Sequence, residues 1–417
     1  MLLILRNPRF RLLWGSSVVS EMGIMFHITA HGWLTLTVTD SAFWVGAVAG
    51  VAGLSIIAFS TISGVLADRL NRKYLILMTI IVQAGVATVL ATLIFSEQIQ
   101  LWHILLASIV EAGMMSIRVP SRMALIMDIA GRRNIQNATA ANFAAMTGTG
   151  IVIPPLAGQL IEHYGIAWAY VSMCSAFLIS AVILTFLSGV RKAERTGVTS
   201  PLQDFVEGVR YVFTTPSVRL LVLIMLTSEI FGWAHEAMIP VMAREVLQTG
   251  PSGVGYLIAA GSTGALLSSL VLSAVGDISR KGIVLAAGYI GFGAFLILFA
   301  LSKSLLLSLV LIGAAWASVA LYETMLGTLL QTSVPNEMRG RVLSFQTFTW
   351  GISGLSGFQT GAIAAILGAP LAIGIGGGIL VLNGIRQVRT LARRYREDEL
   401  AAVTSEDDPV GPPPESV

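Results

Sequence analysis

The sequence predicts an all-α integral membrane protein: twelve transmembrane helices in two pseudo-symmetric six-helix halves. Three observations carry this. First, the 417 residues are 55% hydrophobic and only 12% charged, with a mean hydropathy of +0.79. Soluble domains carry about 25% charged residues, so these apolar segments must meet lipid. Second, apolar runs of about 20 residues, the length that crosses a bilayer as a helix, recur along the chain. Third, "PRFRLLWGSSVVSE" (Pro8 to Glu21) returns as "PSVRLLVLIMLTSE" (Pro216 to Glu229), with Pro, Arg, Leu, Leu, Ser and Glu at the same relative positions.

Twelve runs cover approximately 12–38, 42–67, 74–95, 100–126, 136–161, 166–189, 219–245, 252–275, 282–302, 304–332, 342–367 and 370–388. None alternates polar and apolar residues as barrel strands do. The 42 glycines suit close helix packing in lipid. The division expected is a first half over 1–190, a cytoplasmic linker over 191–217 and a second half over 218–391. A disordered acidic, Pro-rich tail over 392–417 is expected to follow. Within the linker, Leu202, Phe205, Val206, Val209 and Val212 or Phe213 fall on one side of a short amphipathic helix.

Charge sets the orientation. With an inside N-terminus, the inside segments hold 22 of the 26 lysines and arginines, and the outside loops hold only Arg244 and Lys303. That asymmetry places both termini in the cytoplasm. The apolar start "MLLIL" is too short for a signal peptide, and Arg6, Arg9 and Arg11 follow it rather than precede it. A lone cysteine, Cys174, excludes an internal disulfide and a cysteine zinc cage. No nucleophile triad, phosphate loop or nucleic-acid module is visible, so the chain is read as no enzyme and no nucleic-acid binder.

The duplication extends further. "GVLADRLNRK" (Gly64 to Lys73) has its echo in "AVGDISRK" (Ala274 to Lys281), and "IAGRRNIQNA" (Ile129 to Ala138) in "VPNEMRGRV" (Val334 to Val342). Duplicated halves with a site at their interface are a common build of secondary transporters.

At these residues the chain resembles the major facilitator superfamily over nearly its whole length. "GVLADRLNRK" is similar to the superfamily's loop motif G-x-L-a-D-R-x-G-R-[RK], with Asn71 in place of the second glycine. "NPRFRLLWGSSVVSEMG", "PSRMALIMDI" and "LLQTSVPNEMRGRV" resemble bacterial efflux proteins that include siderophore and macrolide exporters. The resemblance implies a cytoplasmic gate at Asp68 with Arg72 as partner, completed by Asp128 or Arg122. "GTGIVIPPLAGQ" is similar to the antiporter signature of span five through Gly150, Pro155 and Gly158. It departs from that signature at Pro154 and Gln159. Pro removes a helix hydrogen bond and Gly admits a neighbour, so the stretch is read as a kink and close-packing element.

Charged groups at membrane depth are costly and usually face a cavity or a partner. Glu21 lies about ten residues into the first span, with Trp14, Ser17, Ile28 and His31 near its face. Glu229 is its mate, and Trp233 and Glu236 follow at i+4 and i+7 as one stripe able to hold a cationic or aromatic solute. Glu21 and Glu229 are expected to face one cavity and to serve as proton and substrate sites. Glu111, Arg118 and Arg122 share a face of span four, and Arg118 is expected to meet Glu323 of span ten as an ion pair. His27 and His31 are spaced as helix metal ligands can be, but no third ligand has a readable spacing. They are read as ordinary cavity lining, with no metal and no cofactor.

The function expected is proton-driven export of an amphipathic small molecule by alternating access, by a monomer in a bacterial cytoplasmic membrane. The proton gradient would be the energy source. Proton-coupled uptake is the alternative, and a lipid flippase or non-transporting sensor is the reading from another class.

Overall fold

The computed structural model describes residues 4–188, 201–276, 278 and 280–406. The side chains of 61, 62, 64, 65, 67–69, 132, 133, 201–206, 336–348, 350 and 388–406 fall outside that description. The described secondary structure is all helical. In chain order the helices are α1 (Pro8–Thr39), α2 (Ala42–Arg69), α3 (Arg72–Phe95), α4 (Leu101–Gly131), α5 (Asn134–Tyr164), α6 (Ile166–Thr185), α7 (Pro201–Thr214), α8 (Pro216–Val246), α9 (Pro251–Val275), α10 (Lys281–Leu301), α11 (Leu305–Ser333), α12 (Asn336–Leu367) and α13 (Ala369–Glu406).

Ten of these segments are long and apolar enough to cross a membrane, among the described residues. The first and eleventh expected spans are not among them. α1 has the length, at 32 residues, but Glu21, His27, His31 and its serines and threonines lower its hydropathy. In α12 only Gly351–Leu367 is apolar and described, a little short of a span.

Helix boundaries follow local chemistry. Asn7 caps α1, its Oδ1 accepting from the Arg9 amide at 3.0 Å, and Pro8 occupies the first turn, where its missing N–H costs nothing. Asn71 caps α3 in the same way. α4 and α5 are one continuous helical run broken at Gly131, whose φ of 68° and ψ of 168° suit only glycine. The linker helix expected near 202–213 is present as α7. The tail departs from expectation. α13 runs to Glu406, so 392–406 is helical rather than disordered. Its residues ("ARRYREDELAAVTSE") are mostly good helix formers, and prolines begin only at Pro409. Residues 407–417 lie outside the described residues.

Two hydrophobic cores form. One is built from residues between Ile4 and Leu187. The other is built mainly from residues between Val212 and Leu380, joined by Leu36, Ala42 and Val45. The helices around them meet through glycines. A Cβ on Gly158 of α5 would lie 2.5 Å from the Pro251 carbonyl oxygen of α9, and one on Gly255 of α9 would strike the Pro154 carbonyl of α5. The span-five signature is therefore a backbone-to-backbone contact between the two cores. No break in helical φ/ψ occurs at Pro154 or Pro155.

Successive spans reverse direction, which gathers Asp40, Glu162 and Gly250 at one end of the bundle. Four bonds tie the two groups of helices there. Arg244 pairs with Asp40 and donates to the Leu36 carbonyl at 3.1 Å. The Ser252 amide donates to Glu162 at 3.3 Å, and Gln159 donates to the Tyr256 hydroxyl at 2.8 Å.

Candidate functional site

Between the two groups of helices lies a cavity of about 780 Å³. Its wall is largely apolar, with Met25, Met115, Met146, Phe143 and Phe177 among the lining residues. The polar groups divide by side. His27 and His31 of α1, with Glu111 and Arg118 of α4, come from the first half of the chain. Trp233 and Glu236 of α8, with Trp316 and Glu323 of α11, come from the second.

Glu21 and Glu229 do not line this cavity, contrary to expectation. Glu21 is buried and ion-paired with Arg122, which is itself buried. Ser16, beside them on α1, is bonded to Ser180 of α6, so this stretch packs inward against its own core. Arg122 is accordingly the partner of Glu21. Arg118 is almost fully buried, and its Nε and Nη1 make no hydrogen bond. It lies within electrostatic reach of both Glu21 and Arg122. Among the described residues no ion pair joins it to Glu323. Arg118 is instead held beside Glu21, on its own side of the cavity.

The stripe of Glu229, Trp233 and Glu236 is also interrupted. Ser228–Gly232 forms a π-turn, with the Trp233 amide bonded to the Ser228 carbonyl five residues back at 3.0 Å. The extra residue in that turn breaks the 3.6-residue repeat. Trp233 and Glu236 reach the cavity, while Glu229 is buried behind its wall, within electrostatic reach of Glu323 and Glu236. Nothing in the sequence marks a π-turn, so this rotation was not readable.

Around Glu323 the structure adds residues the sequence did not single out. Tyr322 is fully buried; its hydroxyl lies 2.6 Å from Ser228 Oγ and 3.5 Å from Glu323 Oε1. His235 is buried, with Nδ1 at 2.7 Å from the Gly232 carbonyl, and its Nε2 accepts from Trp316 Nε1 at 3.2 Å. The Trp233 and Trp316 rings meet edge to face at 5.5 Å. The result is an aromatic wall with two carboxylates set in it.

On the opposite wall, His31 bridges two hydroxyls, Ser108 at 2.7 Å and Tyr170 at 3.1 Å. His27 Nδ1 lies 2.9 Å from Glu111 Oε2. Near the end that carries Gly131, Arg72 pairs with Asp128 at 2.5 Å. The side chain of Asp68 lies outside the described residues. Gly150 faces Ser262 across the α5–α9 contact, with Ser262 Oγ 2.7 Å from where its Cβ would stand. A Cβ there would require the Ser262 hydroxyl to rotate away.

The family model described as transmembrane secretion effector (MFS_3) matches residues 2–411. The chain belongs to this family of the major facilitator superfamily. It is 25% identical over 398 residues to the enterobactin exporter EntS of Escherichia coli O139:H28 (strain E24377A / ETEC), covering 92% of this chain and 89% of that one. The same figures hold for EntS of Escherichia fergusonii. Among solved structures, a bacterial homolog of the human lysosomal transporter Spinster, inward-facing and unoccupied, superposes with a TM-score of 0.70 at 15% identity. That match covers 98% of this chain and 99% of the other. The peptide transporter POT in complex with sulfate gives 0.74 at 10% identity, covering 93% and 94%. These structures share the fold. The family is one of membrane transporters rather than enzymes.

Proposed function

We propose that this protein is a secondary active transporter that exports an amphipathic small molecule in exchange for protons. In this reading its twelve transmembrane helices form two six-helix halves, residues 1–190 and 218–391, joined by the linker 191–217. The spans through α1 and α12 complete the count. Both termini face the cytoplasm, by the distribution of lysine and arginine. The end carrying Asp40, Glu162 and Gly250 is then the outer one, and it is the closed one.

One observation carries the proposal: an apolar cavity of about 780 Å³ between the two groups of helices, with carboxylates in its wall. That volume suits a drug-sized solute. Trp233 and Trp316 offer aromatic faces, and Glu236 and Glu323 offer charge, a combination that suits a cationic or aromatic solute. Glu229 stands directly behind them. Three neighbouring carboxylates repel one another, and the repulsion is relieved by taking up either a proton or a cationic solute. Competition of that kind couples the two fluxes. Glu21, paired with Arg122 and close to Arg118, acts in this scheme as a fixed counter-charge rather than as a carrier. Asp68, Arg72 and Asp128 form the gate at the cytoplasmic end, and Gly150, Pro154, Pro155 and Gly158 form the outer seam on which the halves rock. The match to the enterobactin exporters supports export as the direction and a siderophore-like molecule as one solute class. The protein works as a monomer, with the cavity complete in one chain.

Everted membrane vesicles test this. The cytoplasmic face is then outward, so export becomes uptake into the lumen. With an acidified lumen, vesicles carrying the protein are expected to accumulate ethidium or a catecholate chelator above vesicles lacking it, and to release it when nigericin collapses the gradient. Accumulation that survives the collapse would exclude proton coupling.

A further inference from the structure

We infer that His27, His31 and Glu111 form a binding site for a divalent transition-metal ion of the zinc class, open to the central cavity. The ligand atoms of the three residues all lie within 4.8 Å of one another. A tetrahedral ion with bonds near 2.1 Å holds its ligand atoms about 3.4 Å apart, so side-chain rotation alone can bring these atoms onto one ion. His27 and His31 stand one turn apart on α1, with ring centroids 4.4 Å apart. Glu111 reaches them from α4.

A second observation points to a missing ligand. Glu111 is 5% exposed, yet neither of its carboxylate oxygens makes a hydrogen bond, and neither does His27 Nδ1. Glu111 Oε2 and His27 Nδ1 are 2.9 Å apart but not aligned as donor and acceptor. Those two atoms meet as a bare ion pair, placed as co-ligands are around a shared point, while Glu111 Oε1 is buried with no partner. Leaving a buried carboxylate oxygen unpaired is costly, and an ion there would satisfy it.

The chemistry of the set selects the metal. Two imidazoles and one carboxylate suit Zn²⁺, Co²⁺ or Ni²⁺ and not Mg²⁺ or Ca²⁺, which prefer all-oxygen ligands. The outer shell is present as well. One ring nitrogen of His31 would exchange its hydroxyl partner for the ion, while the other keeps Ser108 or Tyr170 and fixes the tautomer. Three protein ligands leave a fourth position directed at the cavity, where water or an oxygen donor of a bound solute completes the shell. The site stands independently of the direction and coupling of transport.

The test uses the full-length, tag-free protein in detergent. Wild type titrated with Zn²⁺ by calorimetry is expected to bind one ion per chain. With Co²⁺ it is expected to give the intense visible bands of a four- or five-coordinate centre. His27→Ala and Glu111→Gln, each checked for a monodisperse chromatographic peak, are expected to weaken Zn²⁺ binding by about 100-fold or more, and Tyr170→Phe by about 10-fold. His103→Ala/His163→Ala, which removes two histidines remote from the cavity, is expected to bind as wild type does. No saturable Zn²⁺ binding by wild type overturns the site, as does the weak spectrum of octahedral Co²⁺. Both of those arms are independent of whether the variants fold. Unchanged affinity in His27→Ala and Glu111→Gln overturns the ligand assignment.

Discussion

The buried pair Glu21–Arg122 gives the sharpest energetic expectation, because a third charge, Arg118, shares its carboxylate. The side chains of Glu21 and Arg122 are 5% and 7% exposed, so solvent screens them little. Removing one partner of such a pair costs about 3–5 kcal/mol, because the other charge is left uncompensated. Here the two removals differ. Glu21→Gln strands both Arg122 and Arg118, so about 4 kcal/mol or more is expected. Arg122→Met leaves Glu21 free to compensate Arg118, and about 2 kcal/mol is expected. With both changes only Arg118 is stranded, so the double variant should be no worse than Glu21→Gln alone. That implies a coupling energy of about 2 kcal/mol. With the first half (residues 1–190) unfolding as one unit, 1 kcal/mol moves Tm by about 2–4 °C, so Glu21→Gln should lower it by roughly 8–16 °C. Thermal melts of detergent-purified protein, followed by tryptophan fluorescence and size-exclusion recovery, measure all three variants. Additive losses, or equal losses in the two single variants, would refute the argument that one carboxylate serves two guanidinium groups.

Other expectations follow from single contacts. Gly158→Val places side-chain atoms where the Pro251 carbonyl now lies, so the variant should fold but fail to close its outer end. Export should be lost, and an impermeant maleimide should gain access from outside to a cysteine introduced at Met146, a cavity-lining position, in a Cys174→Ser background. Gly131→Val must hold a β-branched residue at a φ of 68°, at a cost of about 1–3 kcal/mol; a melt of that variant against wild type checks the value. Glu323→Gln is expected to lose gradient-driven accumulation in vesicles while keeping solute-for-solute exchange, which needs no net proton movement. Exchange lost together with accumulation would make Glu323 a solute-binding group only. Arg244→Ala removes a pair that is well exposed on both sides, so its stability should fall by no more than about 1 kcal/mol, as read by the same melts.

The sequence carried the helices well, because a bilayer leaves the backbone few choices and apolar runs with charged ends announce each turn. The repeat announced the duplication, and α7 was legible from its amphipathic face. What the sequence could not carry was rotation about a helix axis. Glu21 and Glu229 share a depth, and their depth was legible. Their direction was not, because a carboxylate can satisfy itself by turning toward an arginine on the next helix or can be carried behind the wall by a π-turn. Arg118 and Glu323 occupy equivalent positions in the repeat, yet they stay on opposite walls of the cavity. Glu111 shows the converse. It stands far from His27 and His31 in sequence, and only the packing of α4 on α1 brings the three together.

The central claim is that this cavity opens alternately at its two ends. Distances between spin labels, measured by pulsed electron resonance in liposomes, test it most directly. One pair of labels would replace Gln98 and Lys303 at the outer end and another Leu70 and Arg280 at the inner end, all exposed positions, both in a Cys174→Ser background. The distributions at the two ends should change in opposite senses as pH is stepped across neutrality, the outer pair lengthening where the inner pair shortens. A single unchanging distance at both ends, or two ends that widen together, would contradict alternating access.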